Sequence, residues 1–235
     1  MRAEAIAKRA LFPISVSNQA FSTRRVLPAL QALLSSYAEV VIFVADHLQV
    51  YNKALQIADG AGLSKIIGEF DLKQDYREQR IKWIQRMTSR MQGCEASHWK
   101  LIGVDDITDF KCFNIFRNVM VAYYGVCCFQ EDVNRSARYY ARSRYPQYPL
   151  EIREQLSRAY LLEEIALNVR LHIDDGIDDE YYMGEQLGIL VNLYHSKYGF
   201  NAFDLANVSG DGRKIRFFGF DGNDCASWSE HLPEA

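Results

Sequence analysis

Ser15 stands in the segment Pro13-Ile14-Ser15-Val16-Ser17-Asn18, between an apolar run and a polar turn. A serine at the end of a buried strand can present its hydroxyl at the ligand edge of a sheet. It becomes a nucleophile once a neighbour or the substrate takes its proton. The fragment taken alone favours a turn or cap serine. Tyr160 and Glu164 are spaced i, i+4 and share a helix face. Leu156, Leu167 and Leu171 continue that face and turn it inward. An inward carboxylate is costly unless it meets a cation or hydrogen-bond donors. A substrate ammonium group would suit it, with the Tyr160 hydroxyl alongside; an ion pair with Arg158 or Arg170 would satisfy it as well. A third group, Asn192-Leu193-Tyr194-His195, closes the apolar run Leu187 to Leu193. Tyr194 can donate and accept through one hydroxyl, and the imidazole of His195 can take up or release a proton. The bland alternative is a packed aromatic with an exposed histidine beside it.

The elements that must position these groups alternate between strand and helix. Leu11 to Ser15, Val40 to Ala45, Trp99 to Val104, Leu187 to Leu193 and Lys214 to Phe220 read as strands. Helical patterns run over Arg24 to Ser36, near Lys65 to Met91, Phe113 to Phe129, Val133 to Arg144 and Leu150 to Leu171. Pro28 is placed in the first turn of its helix, where it is tolerated. This alternation predicts an α/β fold: a single Rossmann-like domain over residues 1–235, its mostly parallel sheet flanked by helices. The ligand site of such a sheet lies beyond the carboxyl ends of its strands. That places weight on Ser15-Val16-Ser17-Asn18, on Ala45-Asp46-His47 and on Tyr194-His195.

Composition narrows the class. Hydrophobic residues make up 49% and charged residues 24% of the chain, as in an ordinary globular protein. The longest uncharged apolar run, Val119 to Phe129, is too short to span a bilayer as a helix, so no membrane association is expected. No signal-peptide pattern fits the start, and the expected location is the cytoplasm. The five cysteines include no C-x-x-C and read as small buried hydrophobes rather than a disulfide framework or zinc site. Dinucleotide and P-loop glycine motifs are absent, as are G-x-S-x-G and the HIGH and KMSKS signatures. A catalyst of this kind would work on an already activated substrate, and no metal or cofactor is expected.

The net charge of −3 hides an asymmetry: the run Asp174 to Glu180 holds five acids, and removing them would leave +2. Arg80, Lys82, Arg86 and Arg90 form an acid-free segment, with Lys82, Arg86 and Arg90 on one helix face. Arg135, Arg138 and Arg142 repeat the pattern. Such stripes suit a phosphate backbone, although a solvated helix face reads the same way.

The three groups together, in this order and in a chain of this length, resemble the cyclodipeptide synthases. The motifs are Ile14-Ser15-Val16-Ser17-Asn18, the pair Tyr160 and Glu164, and Tyr194-His195. Asn18 with Tyr194-His195 is similar to the Asn-Tyr-His branch of that family. Pro13, where relatives often carry a small residue, is a departure at the first substrate pocket. The resemblance implies a domain similar to the catalytic domain of class I aminoacyl-tRNA synthetases. It implies an enzyme of secondary metabolism, a monomer that joins two amino acids taken from two aminoacyl-tRNAs, without ATP. Ser15 would carry the acyl group, Tyr160 and Glu164 would hold its amine, and Tyr194 would relay a proton with Asn18 and His195 in support. Leu11, Pro13 and Leu167 would line the side-chain pockets, with Asn168 and Asn192 as polar contacts. Arg80, Lys82, Arg86 and Arg90 would bind tRNA. A serine esterase or acyltransferase, and a catalytically silent tRNA-binding domain, are the competing readings.

Overall fold

The central strands are near-continuous apolar runs buried on both faces, as a parallel sheet requires. They are β1 (Arg9–Ile14) and β2 (Glu39–Val44), with β3 (Trp99–Gly103), β4 (Asp179–Met183) and β5 (Arg216–Phe220) outside them. The computed structural model describes residues 8–14, 23–45, 78, 81–83, 85–87, 89–90, 99–143, 149–183, 188–209 and 214–220. The strand order is β3-β2-β1-β4-β5 and every pair is parallel. The chain therefore reverses its direction of travel across the sheet between β1 and β4. A crevice opens at such a switch point, at the carboxyl ends of the two strands.

The helices are α1 (Thr23–Ser36), α2 (Val104–Ile107), α3 (Phe110–Gly125), α4 (Cys127–Ser143), α5 (Leu150–Asp174), α6 (Gly188–Tyr194) and α7 (Ala202–Leu205). Alternation along the strands divides the core. Ala10, Phe12, Ile14, Val40, Ile42 and Val44 pack against Val26, Leu30 and Leu33 of α1 and against Trp83 and Met87. Leu11, Val41 and Phe43 turn to the opposite face and pack against Leu167 and Leu171 of α5. A third cluster joins α3, α4, α5 and α6 through Val119, Phe129, Val133, Ile165, Val169 and Leu193. The α/β architecture matches the sequence expectation.

Several local expectations are corrected. Leu187 to Leu193 is not a strand: Gly188–Tyr194 is helix α6, with Ile189, Leu190 and Leu193 buried at helical spacing. A short apolar run fits both periods, and only its burial pattern decides. The missing strand is β4, which starts in the last two residues of the acidic run. Asp179 and Glu180 are buried there, which their charges conceal from a hydropathy pattern. Phe113 to Phe129 is not one helix, because the chain bends by 102° between α3 and α4 around Val126. Val104 starts α2 instead of ending β3. Pro28 lies beyond the first turn of α1. Cys112 is buried, and burial raises its thiol pKa to about 11. Cys127 and Cys128 are exposed, contrary to the expectation of buried cysteines, and Cys94 and Cys225 lie outside the described residues. Among the described residues no single helix is long and apolar enough to cross a membrane.

The acidic run also acquires a structural role. Asp175 pairs with Lys100 at 2.7 Å, and its backbone carbonyl accepts from the Arg9 guanidinium. Asp174 meets Arg170 and Lys111. Asp178 accepts from the Arg9 backbone N–H, and Asp179 accepts from both Arg216 nitrogens. The run thus ties cations of β1, β3, β5, α3 and α5 together along the amino-terminal edge of the sheet.

Candidate active site

Helix α5 leads into β4 through Asp175–Asp178, so its carboxyl end lies at the amino-terminal edge of the sheet. Glu164 precedes Asp174 by ten residues, a rise of roughly 15 Å. A strand the length of β1 spans about 17–20 Å. Tyr160 and Glu164 therefore stand at the height of the carboxyl end of β1. Tyr160 packs against the cluster of Leu11, Phe43 and Leu167, on the face that also carries buried Pro13. Its hydroxyl donates to Glu164 Oε1 at 3.4 Å, and both side chains are half-buried. Leu156, Leu167 and Leu171 are buried as the inward row requires. Arg170 is engaged by Asp109 and Asp174, and the structure shows no Arg170 bridge to Glu164. The fold thus brings Leu11, Pro13, Tyr160, Glu164 and Leu167 to one face of β1 and α5, and the residue that follows β1 in sequence is Ser15. Ser15 and Asn18 lie outside the described residues.

Asn168 extends this group downward. Its Nδ2 donates to the Glu164 backbone carbonyl at 2.9 Å, while its buried Oδ1 meets no hydrogen-bond partner among the described residues. Tyr160, Glu164, Asn168 and His172 form a polar row at four-residue spacing along α5. His172 is fully buried. Its Nε2 lies 2.6 Å from Glu180 Oε2 on β4, and its Nδ1 lies 2.8 Å from the Tyr194 hydroxyl on α6. A carboxylate only accepts, so Nε2 donates to Glu180. The sequence reading missed His172 and Glu180. The four-residue row was the available signal for the histidine; nothing in the acidic run marked the glutamate.

The third group falls elsewhere. Tyr194 ends helix α6 with its hydroxyl on His172, eight residues beyond Glu164 and so roughly 12 Å lower along α5. The strand side agrees, because Glu180 pairs in register with Leu11 and stands three residues before Met183, about 10 Å below the edge. Tyr194 is therefore not brought to Tyr160 and Glu164. His195 is exposed just past α6, and its backbone N–H donates to Val191. Asn192 donates to Asp132 at 3.4 Å and to Tyr198 at 3.2 Å, within the helical layer. The tyrosine that the backbone places next to the end of a strand flanking β1 is Tyr182 of β4.

Of the first basic stripe, Lys82, Arg86 and Arg90 are described and exposed, and Arg80 is not described. Trp83 and Met87 anchor this helical segment in the core, which turns the cations outward. Lys82, Gln85, Arg86 and Ser89 line a depression of ≈ 440 Å³. In the second stripe Arg135 pairs with Asp132 at 3.1 Å and Arg138 with Glu154 at 3.1 Å, so two of its three charges are already engaged.

The sequence matches no family model and no curated protein. Solved structures do match. A cyclodipeptide synthase from Fluoribacter dumoffii superposes with a TM-score of 0.71 at 16% identity, over 90% of this chain and 88% of that one. AlbC, a cyclodipeptide synthase from Streptomyces noursei, gives 0.61 at 11% identity, over 95% and 99%. A Mycobacterium tuberculosis protein described as showing that cyclodipeptide synthetases are related to type I tRNA synthetases gives 0.64 at 12% identity, over 90% and 84%. The chain therefore has the fold of these proteins.

Proposed function

We propose that this chain is a cyclodipeptide synthase acting on two aminoacyl-tRNAs. One observation carries the reading: a half-buried Tyr160–Glu164 pair stands at the carboxyl end of β1, whose next residue in sequence is Ser15. The fold shared with solved cyclodipeptide synthases supports it.

Aminoacyl-tRNA is an activated ester, so transfer of its acyl group to Ser15 exchanges one ester for another and needs no ATP. The serine proton ends on the departing ribose hydroxyl. Glu164 and Tyr160 hold the ammonium group of the bound acyl chain and orient it. The amine loses a proton, for which Glu164 is the nearby acceptor, and attacks the second aminoacyl ester. The new terminal amine then attacks the Ser15 ester, frees the serine and closes a six-membered diketopiperazine ring. The resemblance implies Tyr194 as the closing proton relay, supported by His195 and Asn18. Because the Tyr194 hydroxyl meets His172, Tyr182 takes that position in our reading. Assignment to the Asn-Tyr-His branch loses its strand-end geometry for the same reason. Leu11, Pro13 and Leu167 line the pocket for the first side chain, and Lys82, Arg86 and Arg90, with Arg80, form the tRNA contact. The enzyme would act as a monomer in the cytoplasm, where charged tRNA is present.

Expression in a bacterial host, followed by mass spectrometry of the medium, tests the reading. A cyclic dipeptide that disappears with Ser15→Ala is the expected result. Undiminished product from Ser15→Ala would remove the acyl-enzyme. Turnover of simple esters without tRNA would favour an esterase, and tRNA binding with no product would favour a silent binding domain.

A further inference from the structure

Helix α5 carries the amine-holding pair at one height and a buried polar fastening at another. Its packing on the sheet through Leu167 and Leu171 is apolar and therefore non-directional. Its ion pairs through Glu154 and Arg170 reach α4 and α3, the neighbouring helices. The bond from His172 Nε2 to Glu180 Oε2, at 2.6 Å, reaches the sheet itself. Glu180 sits on β4 beside Leu11 of β1, so its position is fixed by the parallel ladder. The imidazole is held in plane from its other side by the Tyr194 hydroxyl at 2.8 Å and by ring contacts with Tyr194 and Phe217. This is a directional contact between a 25-residue rod and the strand that flanks the reactive edge.

We infer that His172 is a positioning residue: by gripping Glu180 it fixes the height of α5 over the sheet, and so sets where Tyr160 and Glu164 hold the amine of the acyl-enzyme. The inference rests on the reading of Tyr160 and Glu164 as that amine clamp. A helix that slides by even a fraction of a turn would leave the ester on Ser15 intact but misplace its amine. The acyl-enzyme would then be lost to water, which attacks the ester carbonyl and releases the free amino acid and the serine. Attack on the second aminoacyl ester would suffer in proportion.

The partition between free amino acid and cyclic dipeptide reads this out. It is measured with total bacterial tRNA charged with labelled amino acids, and the Ser15→Ala protein supplies the blank for spontaneous deacylation. The ratio does not depend on how much enzyme is folded, so a merely structural role leaves it unchanged. His172→Leu is expected to raise free amino acid over cyclic product by about 10- to 100-fold, the scale of an ångström misplacement. His172→Gln keeps a donor for Glu180 and is expected to stay near the wild-type ratio. Because His172→Leu strands a buried carboxylate, the double variant His172→Leu/Glu180→Leu is measured beside it. It removes the buried carboxylate along with the imidazole and is expected to fold better than His172→Leu, yet lacks the grip, so its ratio is expected to stay high. A wild-type ratio in the double variant, or equal ratios in His172→Gln and His172→Leu, would overturn the inference. Failure of the wild-type protein to form an acyl-enzyme at all would instead overturn the functional reading on which it rests.

Discussion

Asp179 is fully buried, yet both its oxygens are answered: Arg216 donates to them at 2.6 and 2.5 Å, and the Tyr37 hydroxyl donates to one at 2.5 Å. Burial and that bond drive the Tyr37 phenol far above its ordinary pKa, so it stays a donor at any physiological pH. The same rule, that a buried polar group must be matched, makes the location of Tyr194 informative. Its hydroxyl is matched by His172 inside the protein, while a relay in ring closure needs a hydroxyl at the edge. Tyr194→Phe is therefore expected to keep most cyclic product and Tyr182→Phe to lose most of it, by roughly 10²-fold if it acts as a general acid–base. Product yields per folded enzyme decide this, and the opposite order would return the relay to Tyr194. Residues whose partners lie on the same helix were legible in the sequence: Tyr160 and Glu164 do meet across one turn. His172 and Glu180 were not, because they meet only after β4 has entered the sheet.

Helix α3 shows how much one terminal residue contributes to an element. Asp109 caps it, accepting from the Cys112 backbone N–H at 2.8 Å, and also pairs with Arg170 of α5 at 2.8 Å. The Arg170 hydrogen bond is the main reason its carboxyl pKa falls from 3.8 to about 2. A depressed carboxylate stabilises the fold above its unfolded pKa and loses that contribution as pH falls through the folded value. Asp109→Asn should therefore keep the cap and flatten the loss of stability between pH 3.8 and about 2. Asp109→Ala should cost about 1 kcal/mol more through the lost cap. Urea midpoints across that range check both, and an unchanged acid slope in Asp109→Asn would show the ion pair to be idle. Between α5 and β1 the apolar contact is expected to select substrate. Leu167→Ala and Pro13→Gly should alter the ratios of cyclic products by enlarging the pocket, with Leu167→Ala costing about 2–5 kcal/mol of stability. An identical product spectrum in both would place the pocket elsewhere. The strand and helix periods of these two elements were legible because each is long or fully buried. Helix α6 was misread because a short apolar run carries too few positions to separate the periods.

At the scale of the molecule, the acidic run has a definite height over the sheet. Asp174, Asp175 and Asp179 are bound along the amino-terminal edge by cations of four elements, the end opposite the proposed reaction. The alternation of strands and helices announced the α/β class. The order β3-β2-β1-β4-β5, and with it the switch point between β1 and β4, was not legible, because it depends on a strand that begins with two buried acids. With the acidic run held at the far edge, a protein of net charge −3 can still offer a polyanion a locally positive surface. The two basic stripes are no longer equivalent. Arg135 and Arg138 are paired with acids at 3.1 Å, whereas Lys82 meets Glu78 only at 3.6 Å across an exposed turn. Surface pairs of the latter kind are weak and give way to a phosphate. Charge reversal at Lys82, Arg86 and Arg90, with Arg80, should therefore weaken tRNA binding and lower the slope of log K against log salt by about 1 for each phosphate no longer neutralised. The same reversal at Arg135 and Arg138 should leave the slope nearly unchanged. Fluorescence anisotropy with labelled tRNA over a salt series measures both slopes. Equal slopes for the two sets would show the first stripe to be only a solvated helix face and would move the tRNA-binding surface elsewhere on the protein.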